Sequence, residues 1–487
     1  MIKPELEALR SLAESGSYDV APISMELLSD VRTPIEALRI LLNVSRHCYL
    51  LESAGDNENW GRYTFLGYDP KLCISCLNGV VSVDGMEIET DHPGKYIRQI
   101  LSKHRSPRMA DLPPFTGGLV GYFAYNYLKY SEPTLRLDAG DTEQFQDCDL
   151  MLFDKVIAFD NFRQKLILIA NVHLKDLETD YHRAVLELEH MAELIRSGEP
   201  KRIINGRRTS PMRALFSKEE FCALVERAKR HIYEGDIFQI VLSNRLEADY
   251  EGSLFNTYRV LRTLNPSPYM FYFSGSDMEV AGASPETLVK LRDGVLYTFP
   301  LAGTRPRGKT PAEDQALEAE LLADPKELAE HNMLVDLGRN DIGRLSKFGT
   351  VSVERYHEVL RFSHVMHIGS TVRGELRNDM DALDAIDAIL PAGTLSGAPK
   401  LRACQLIHDL EQNKRGIYGG AIGYIDFTGN LDTCIAIRIA YQKNGKVFVR
   451  SGAGIVADSV PETEYQECLN KAAAVARALE LAEEENA

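Results

Sequence analysis

Basic surplus, long apolar runs and cysteine are all scarce in this chain of 487 residues, and each scarcity excludes a class of protein. Its 55 lysines and arginines stand against 71 aspartates and glutamates, a formal charge of −16. A nucleic-acid partner requires a basic footprint for its phosphates, so no nucleic acid is expected. No uninterrupted apolar run approaches the ~20 residues that cross a bilayer, so no membrane role is expected either. The opening MIKPELEALRSLAE sets Pro4, Glu5 and Glu7 where a signal peptide needs an apolar core, which points to a cytoplasmic protein. Eight cysteines do not make a disulfide scaffold. The one CxxC, Cys73 to Cys76, lies in a strand-like run where residues three apart face opposite ways, and no second pair completes a zinc site. Reduced, partly buried thiols are expected. Internal repeats and low-complexity tracts are also missing.

A hydrophobic share of 44% is enough for a large buried core, two or three domains' worth of mass or one large unit. The first part of the chain mixes short β-prone runs with turns, and VIAFD and KLILIA flank Asn161 to Gln164 as a hairpin. A helix follows from about Asp176 to Arg196, with Tyr181, Val185, Leu188 and Ile195 on one face. The polar, basic stretch RSGEPKRIINGRRTSPMR reads as a linker. The resulting division is an N-terminal domain over 1–200, a linker over 201–215 and a second domain over 216–487. Ser217 and Glu220 open the second part with a capping box, and Gly235 closes that helix. GIYGGAIGYIDF, TCIAIRIAYQ and KVFVRSGAGIV read as hairpin-linked strands, which favours an antiparallel α+β arrangement.

Several stretches could carry chemistry. TFPLAGTRPRG runs from a strand-like segment into two glycines, a hydroxyl and the guanidiniums of Arg305 and Arg307, either an anion-receiving loop or a solvated turn. Asp324-Pro325-Lys326-Glu327 opens a helix that puts Glu327 and Glu330 on one face; near Ser459 to Glu462 another begins, with Glu464, Glu467 and Lys471 on one face. First-turn acids commonly serve the helix dipole, but Glu330 and Glu467 sit a turn further in. Carboxylates converging from two helices would suit Mg²⁺. Gly452 to Ala457 fits a GxGxxA pattern without the immediate helix a dinucleotide site needs, leaving only a glycine loop open to a ligand. Thr394 lies in the loop PAGTLSGAPK, His367 in the apolar run FSHVMHIG, and Arg438 in the apolar strand CIAIRIAY. A buried arginine needs an anion, either an internal acid or a ligand carboxylate.

Seven blocks, ASPETL, PLAGTRPRG, KELAEHNMLVDLGRND, FSHVMHI, LPAGTLSGAPK, GIYGGAIGYID and RSGAGIVADSVPETEYQEC, occur in the order seen in chorismate-utilising enzymes. The chain resembles their anthranilate synthase component I branch over essentially its whole length. The resemblance implies a two-domain α+β sandwich of mostly antiparallel sheets with outer helices. It implies that chorismate and ammonia give anthranilate and pyruvate, with Mg²⁺ held by Glu330 and Glu467. By the same resemblance Glu286 is the acid that protonates the departing C4 hydroxyl, and His367 moves a proton in the second step. Gly303, Thr304, Thr394, Tyr418, Arg438 and the Gly452, Ala453 and Gly454 backbone are implied substrate contacts. Gln239 stands where water-using relatives carry a lysine base, and Ala302 where aminodeoxychorismate synthases typically carry lysine. LLES around Ser53 and NPSPYM around Pro268, Tyr269 and Met270 resemble the two halves of a tryptophan inhibitor site. No glutaminase motif is present, so a separate glutamine amidotransferase subunit (component II) is implied. The rival expectations are an aminodeoxychorismate synthase, an isochorismate or salicylate synthase, and a catalytically silent tryptophan-sensing scaffold.

Overall fold

The computed structural model describes residues 2–54, 61–361 and 365–484. The first three residues of the FSHVMHI block, 362–364, lie outside that range; His367 lies within it. Among the described residues, two sheets of fourteen and twelve strands stack face to face, and every pairing between their named strands is antiparallel. Helices cover the outer faces. The expected α+β sandwich is the architecture observed, and each sheet draws strands from both sides of the 201–215 connection.

The strand Lys165–His173 shows why its sequence is so evenly apolar. Leu166, Leu168 and Val172 pack outward against helices such as Leu177–Ser197, while Ile167 and Ile169 face the second sheet. Period-two alternation with both faces buried erases the polar half of the pattern. The layer between the sheets is aromatic, with Tyr49, Phe115, Tyr122, Phe153, Phe271, Phe273 and Phe448 buried there.

Two expected elements differ from their sequence reading. TCIAIRIAYQ is two strands: Leu431–Ile435 belongs to the twelve-stranded sheet and Ile439–Lys443 to the fourteen-stranded one. Arg438 occupies the corner between them at φ +54° instead of lying within a strand. The glycine track Gly452 to Gly454 is no loop. It falls inside the strand Lys446–Ile455 and is paired with Gln239–Glu251. A Cβ at Gly452 would meet the carbonyl of Leu242 at 2.7 Å, so glycine is needed there for close strand approach.

Candidate active site

The site is built where the chain changes sheets. The strand Glu279–Ser284 lies in the larger sheet and Thr287–Arg292 in the smaller, so Pro285 and Glu286 form one crossing. Ala436 to Arg438 form the other. The two crossings are tied together, since Ile435 N donates to the Glu286 carbonyl at 2.9 Å and Ala283 N to that of Arg438 at 3.2 Å. This brings an acid and a guanidinium into one neighbourhood from positions far apart in the chain.

Burial pushes the Glu286 carboxyl up to about 7, against a hydrogen bond from Thr394 and the charges of Arg438 and Lys471. Thr394 Oγ1 donates to Glu286 Oε1 at 3.0 Å from a short 3₁₀ turn, Gly393–Leu395. Among the described residues no hydrogen bond or ion pair engages the Arg438 guanidinium, and burial lowers its pKa. A sheltered arginine without an internal partner is suited to an external carboxylate. The internal acids considered for it are engaged elsewhere: Asp341 pairs with Lys400 at 2.9 Å and Asp336 with Arg339 at 2.8 Å.

Gly303 and Thr304 sit in a strand, Leu301–Pro306, and not in a loop. The register against Val365–Glu375 slips between Ala302 and Thr304, so Gly303 is a bulge residue, at φ +68°. That bulge aims the Gly303 carbonyl at His367 Nδ1, 2.9 Å away, with Thr304 Oγ1 at 3.1 Å. A proton on Nδ1 satisfies the carbonyl and leaves Nε2 as the basic nitrogen. Burial holds this histidine below its ordinary pKa. The guanidiniums of the same stretch are consumed internally. Arg305 bonds Glu320 and Asp324, both at 2.9 Å, and Arg307 bonds Asp314 at 2.6 Å. These ion pairs anchor the bulge.

Tyr418 is buried, and its hydroxyl lies 3.0 Å from where a Cβ on Gly452 would be. Gln239 Nε2 lies 3.1 Å from a Cβ placed on Gly454, which puts Gln239 on the same strand wall. Its amide has no basic nitrogen to activate water.

Glu330 projects from helix Pro325–Gly343 and Glu467 from helix Pro461–Glu484. Although the Glu330 side chain reaches solvent, its carboxyl is raised above the ordinary range. Surrounding protein is the main cause, then the charge of Glu327, with Glu467 adding to it. Glu464 is likewise raised, by burial and by Glu467. The two helices thus bring mutually repelling carboxylates together, answered by Lys471, whose Nζ lies 2.6 Å from Glu467 Oε1. Hard oxygen donors whose negative charge outnumbers the one nearby ammonium fit a divalent cation such as Mg²⁺. Among the described residues the one group of three ligating side chains within 4.8 Å of one another is elsewhere, at His231, Glu234 and Asp236, where Arg402 already bonds Asp236 at 2.8 Å.

A separate cavity of about 940 Å³ lies between the sheets, and Ser53, Pro268, Tyr269 and Met270 all line it. Tyr269 pairs in register with Ser284, and its hydroxyl lies 2.9 Å from both Thr287 Oγ1 and Asp432 Oδ1. The cavity wall therefore continues into the crossing that carries Glu286. Sequence reasoning missed this continuity and the Thr394–Glu286 bond, neither of which leaves a local signal; Lys471, four residues after Glu467 on one helix face, was legible.

A carboxyl whose pKa is raised to about 7, beside an arginine that makes no hydrogen bond or ion pair among the described residues, at the seam of two antiparallel sheets, suits an enzyme site that processes a carboxylate. The chorismate binding enzyme family matches residues 47–477, and the chain belongs to that family. Anthranilate synthase component 1 of Acetivibrio thermocellus is 44% identical over 496 residues, 99% of this chain and 100% of that protein. Its namesake in Aquifex aeolicus is 43% identical over 488 residues, covering 98% of each. The solved anthranilate synthase component I from Streptococcus pneumoniae superposes with a TM-score of 0.78 at 38% identity, over 85% of this chain and 92% of that one. The menaquinone-specific isochorismate synthase from Escherichia coli shares the fold, with a TM-score of 0.71 at 22% identity over 97% and 98% of the two chains.

Proposed function

We propose that this chain is the synthase subunit of an anthranilate synthase, converting chorismate and ammonia to anthranilate and pyruvate, the entry step of tryptophan biosynthesis. The observation that carries the reading is the neutral-leaning Glu286 at the sheet crossing beside Arg438, in a chain whose full-length relatives bear that name. Hydroxide is a poor leaving group, so a carboxylic acid must supply a proton as the C4–O bond breaks. An acid near 7 still carries that proton in about half of the molecules at neutral pH and gives it to the departing oxygen, which leaves as water. Arg438 holds the enolpyruvyl carboxylate, and the Gly303 bulge and the Gly452 to Gly454 backbone orient the ring for ammonia to add at C2. His367 then takes the ring proton as pyruvate leaves, and aromatisation makes the elimination effectively irreversible.

Glu330 and Glu467, with Glu327 and Glu464 beside them, are the residues that would hold Mg²⁺. When bound, the ion withdraws charge from the ring carboxylate and fixes its position. The same proposal makes the cavity at Ser53, Pro268, Tyr269 and Met270 a tryptophan site for feedback, and assigns ammonia delivery to a glutamine amidotransferase partner. It also places the chain in the cytoplasm; among the described residues no helix is long and apolar enough to cross a membrane.

Incubation with chorismate, Mg²⁺ and an ammonium salt tests the reading. Fluorescent anthranilate with equimolar pyruvate is expected. A 4-amino product without pyruvate would make the chain an aminodeoxychorismate synthase, and salicylate or isochorismate would make it a water-using relative. No product at all would leave a tryptophan-sensing scaffold.

A further inference from the structure

Behind the site lies an ionic knot that the proposed chemistry does not use. Glu411, Arg415 and Arg450 are each 3% exposed or less, a depth at which charges are seldom placed unless paired. Arg415 Nε and Nη2 donate to the two oxygens of Glu411 at 2.9 and 2.6 Å. Arg450 Nη2 reaches the same carboxylate at 2.8 Å, and its Nε donates to Ser243 Oγ at 2.9 Å. Ser243 in turn donates its amide and hydroxyl to Glu411, at 2.8 and 2.9 Å. The pair of guanidiniums keeps Glu411 charged despite full burial.

A buried ion cluster is rarely the most stable filling for its volume, since well-packed apolar side chains often do as well or better. What apolar side chains cannot do is hold backbone carbonyls at fixed points. The Arg415 fork does so twice, donating from Nη1 to Leu395 O at 2.7 Å and from Nη2 to Val241 O at 2.8 Å. Leu395 directly follows Thr394 in the 3₁₀ turn, and Val241 is the register partner of Gly454. The same guanidinium lies 4.6 Å from the Tyr125 ring centroid and 5.8 Å from that of Tyr418. One planar cation therefore holds the carbonyls of two segments, at Leu395 and Val241, and lies over or near the rings of Tyr125 and Tyr418.

We propose that Arg415, locked from behind by Glu411 and Arg450, is a positioning residue: through the Leu395 carbonyl it sets the Thr394 hydroxyl on Glu286, and through the Val241 carbonyl it sets the Gly452 to Gly454 track. This rests on Glu286 being the acid of the proposed reaction. The rigid five-donor fork is essential to the role, because a lysine ammonium is a point charge that cannot span two carbonyls and both carboxylate oxygens.

Arg415→Lys tests it, with the pH profile of kcat/KM for ammonia-driven anthranilate formation as the readout. The Thr394 hydrogen bond holds the Glu286 pKa down, as do Arg438 and Lys471, the charged groups facing it. Loosening the turn removes only the first of these. The limb governed by the acid then moves to higher pH, while kcat at neutral pH falls about 10²-fold from misplacement. Thr394→Val moves the limb in the same direction, and the double variant moves it no further than Thr394→Val alone. An unmoved limb in Arg415→Lys, with activity lost only in proportion to the unfolded fraction seen by circular dichroism, overturns the proposal, as does an additive double variant. Should Arg415→Lys not fold, Glu411→Gln decides: it slackens the clamp at nearly constant volume, and a limb left in place overturns the role. Glu286→Gln separates the two claims. If it keeps wild-type turnover, the acid assignment falls; if it is inactive while Arg415→Lys leaves the limb unmoved, only the positioning role falls.

Discussion

Thr394 Oγ1 donates to Glu286 Oε1 at 3.0 Å, joining residues 108 positions apart across the seam between the sheets. Glu286 has its pKa raised to about 7 by burial, so its protonated form dominates below neutrality and is lost above it. Activity that depends on this acid falls as pH rises through that value. The stability sign follows from the same shift. The folded state binds the proton more tightly than the unfolded chain, so the group's contribution is fully present below the ordinary carboxylate pKa and is lost as pH climbs to about 7. Glu286→Gln removes this dependence. It should lower kcat by about 10²–10⁴-fold. At pH 8 it should be more stable than the parent by on the order of 2 kcal/mol. Turnover assays and urea unfolding at pH 5 and pH 8 measure both effects.

Among the described residues Arg438 makes no hydrogen bond or ion pair, and the one acid whose charge acts on it, Glu286, has its own pKa raised to about 7, so removing Arg438 breaks no ion pair. Arg438→Met is expected to leave the melting temperature unchanged or raise it, while KM for chorismate rises roughly 10–100-fold through the lost charged hydrogen bonds. A large fall in melting temperature with KM intact would make this a structural arginine.

Glu330 and Glu467 repel each other across two helices, and the divalent cation proposed for them would relieve that repulsion. Adding Mg²⁺ at about 100 times its Kd should stabilise the parent by about 2.7 kcal/mol. Glu467→Gln should show little of that shift and less than about a hundredth of the turnover. A variant that keeps the full Mg²⁺ thermal shift removes Glu467 from the metal site.

Ser53 borders the cavity of about 940 Å³, beside Met270 and Tyr269. Ser53→Phe fills part of that space without touching the Glu286 crossing. Tryptophan inhibition should weaken at least about tenfold, a loss of about 1.4 kcal/mol of binding, with ammonia-driven turnover retained. An unchanged inhibition curve would place the effector elsewhere.

Much of the fold was legible because its signals are local. The capping box of Ser217 and Glu220 forms as its spacing indicates, and the hairpin around Asn161 to Gln164 pairs in register. Asp324 caps its helix through the amides of Lys326 and Glu327. The site was legible mainly as a list of residue types along the chain. Arg438 read as a residue within an apolar strand because the sheet change at that point leaves no break in apolar composition. Gly303 read as a loop glycine because a bulge and a turn both call for positive φ.

From the sequence by itself come the alternating and helical periods, the helix starts and the charge balance, since each depends on neighbours within a few residues. Tertiary structure alone decided that Glu286 and Arg438 share one seam, that Arg305 and Arg307 are neutralised by acids of the following helices, and that Arg415 reaches Leu395 and Val241. These depend on antiparallel pairings between segments as far as about 300 residues apart, such as Ala421 with Phe123, whose partners no local pattern identifies.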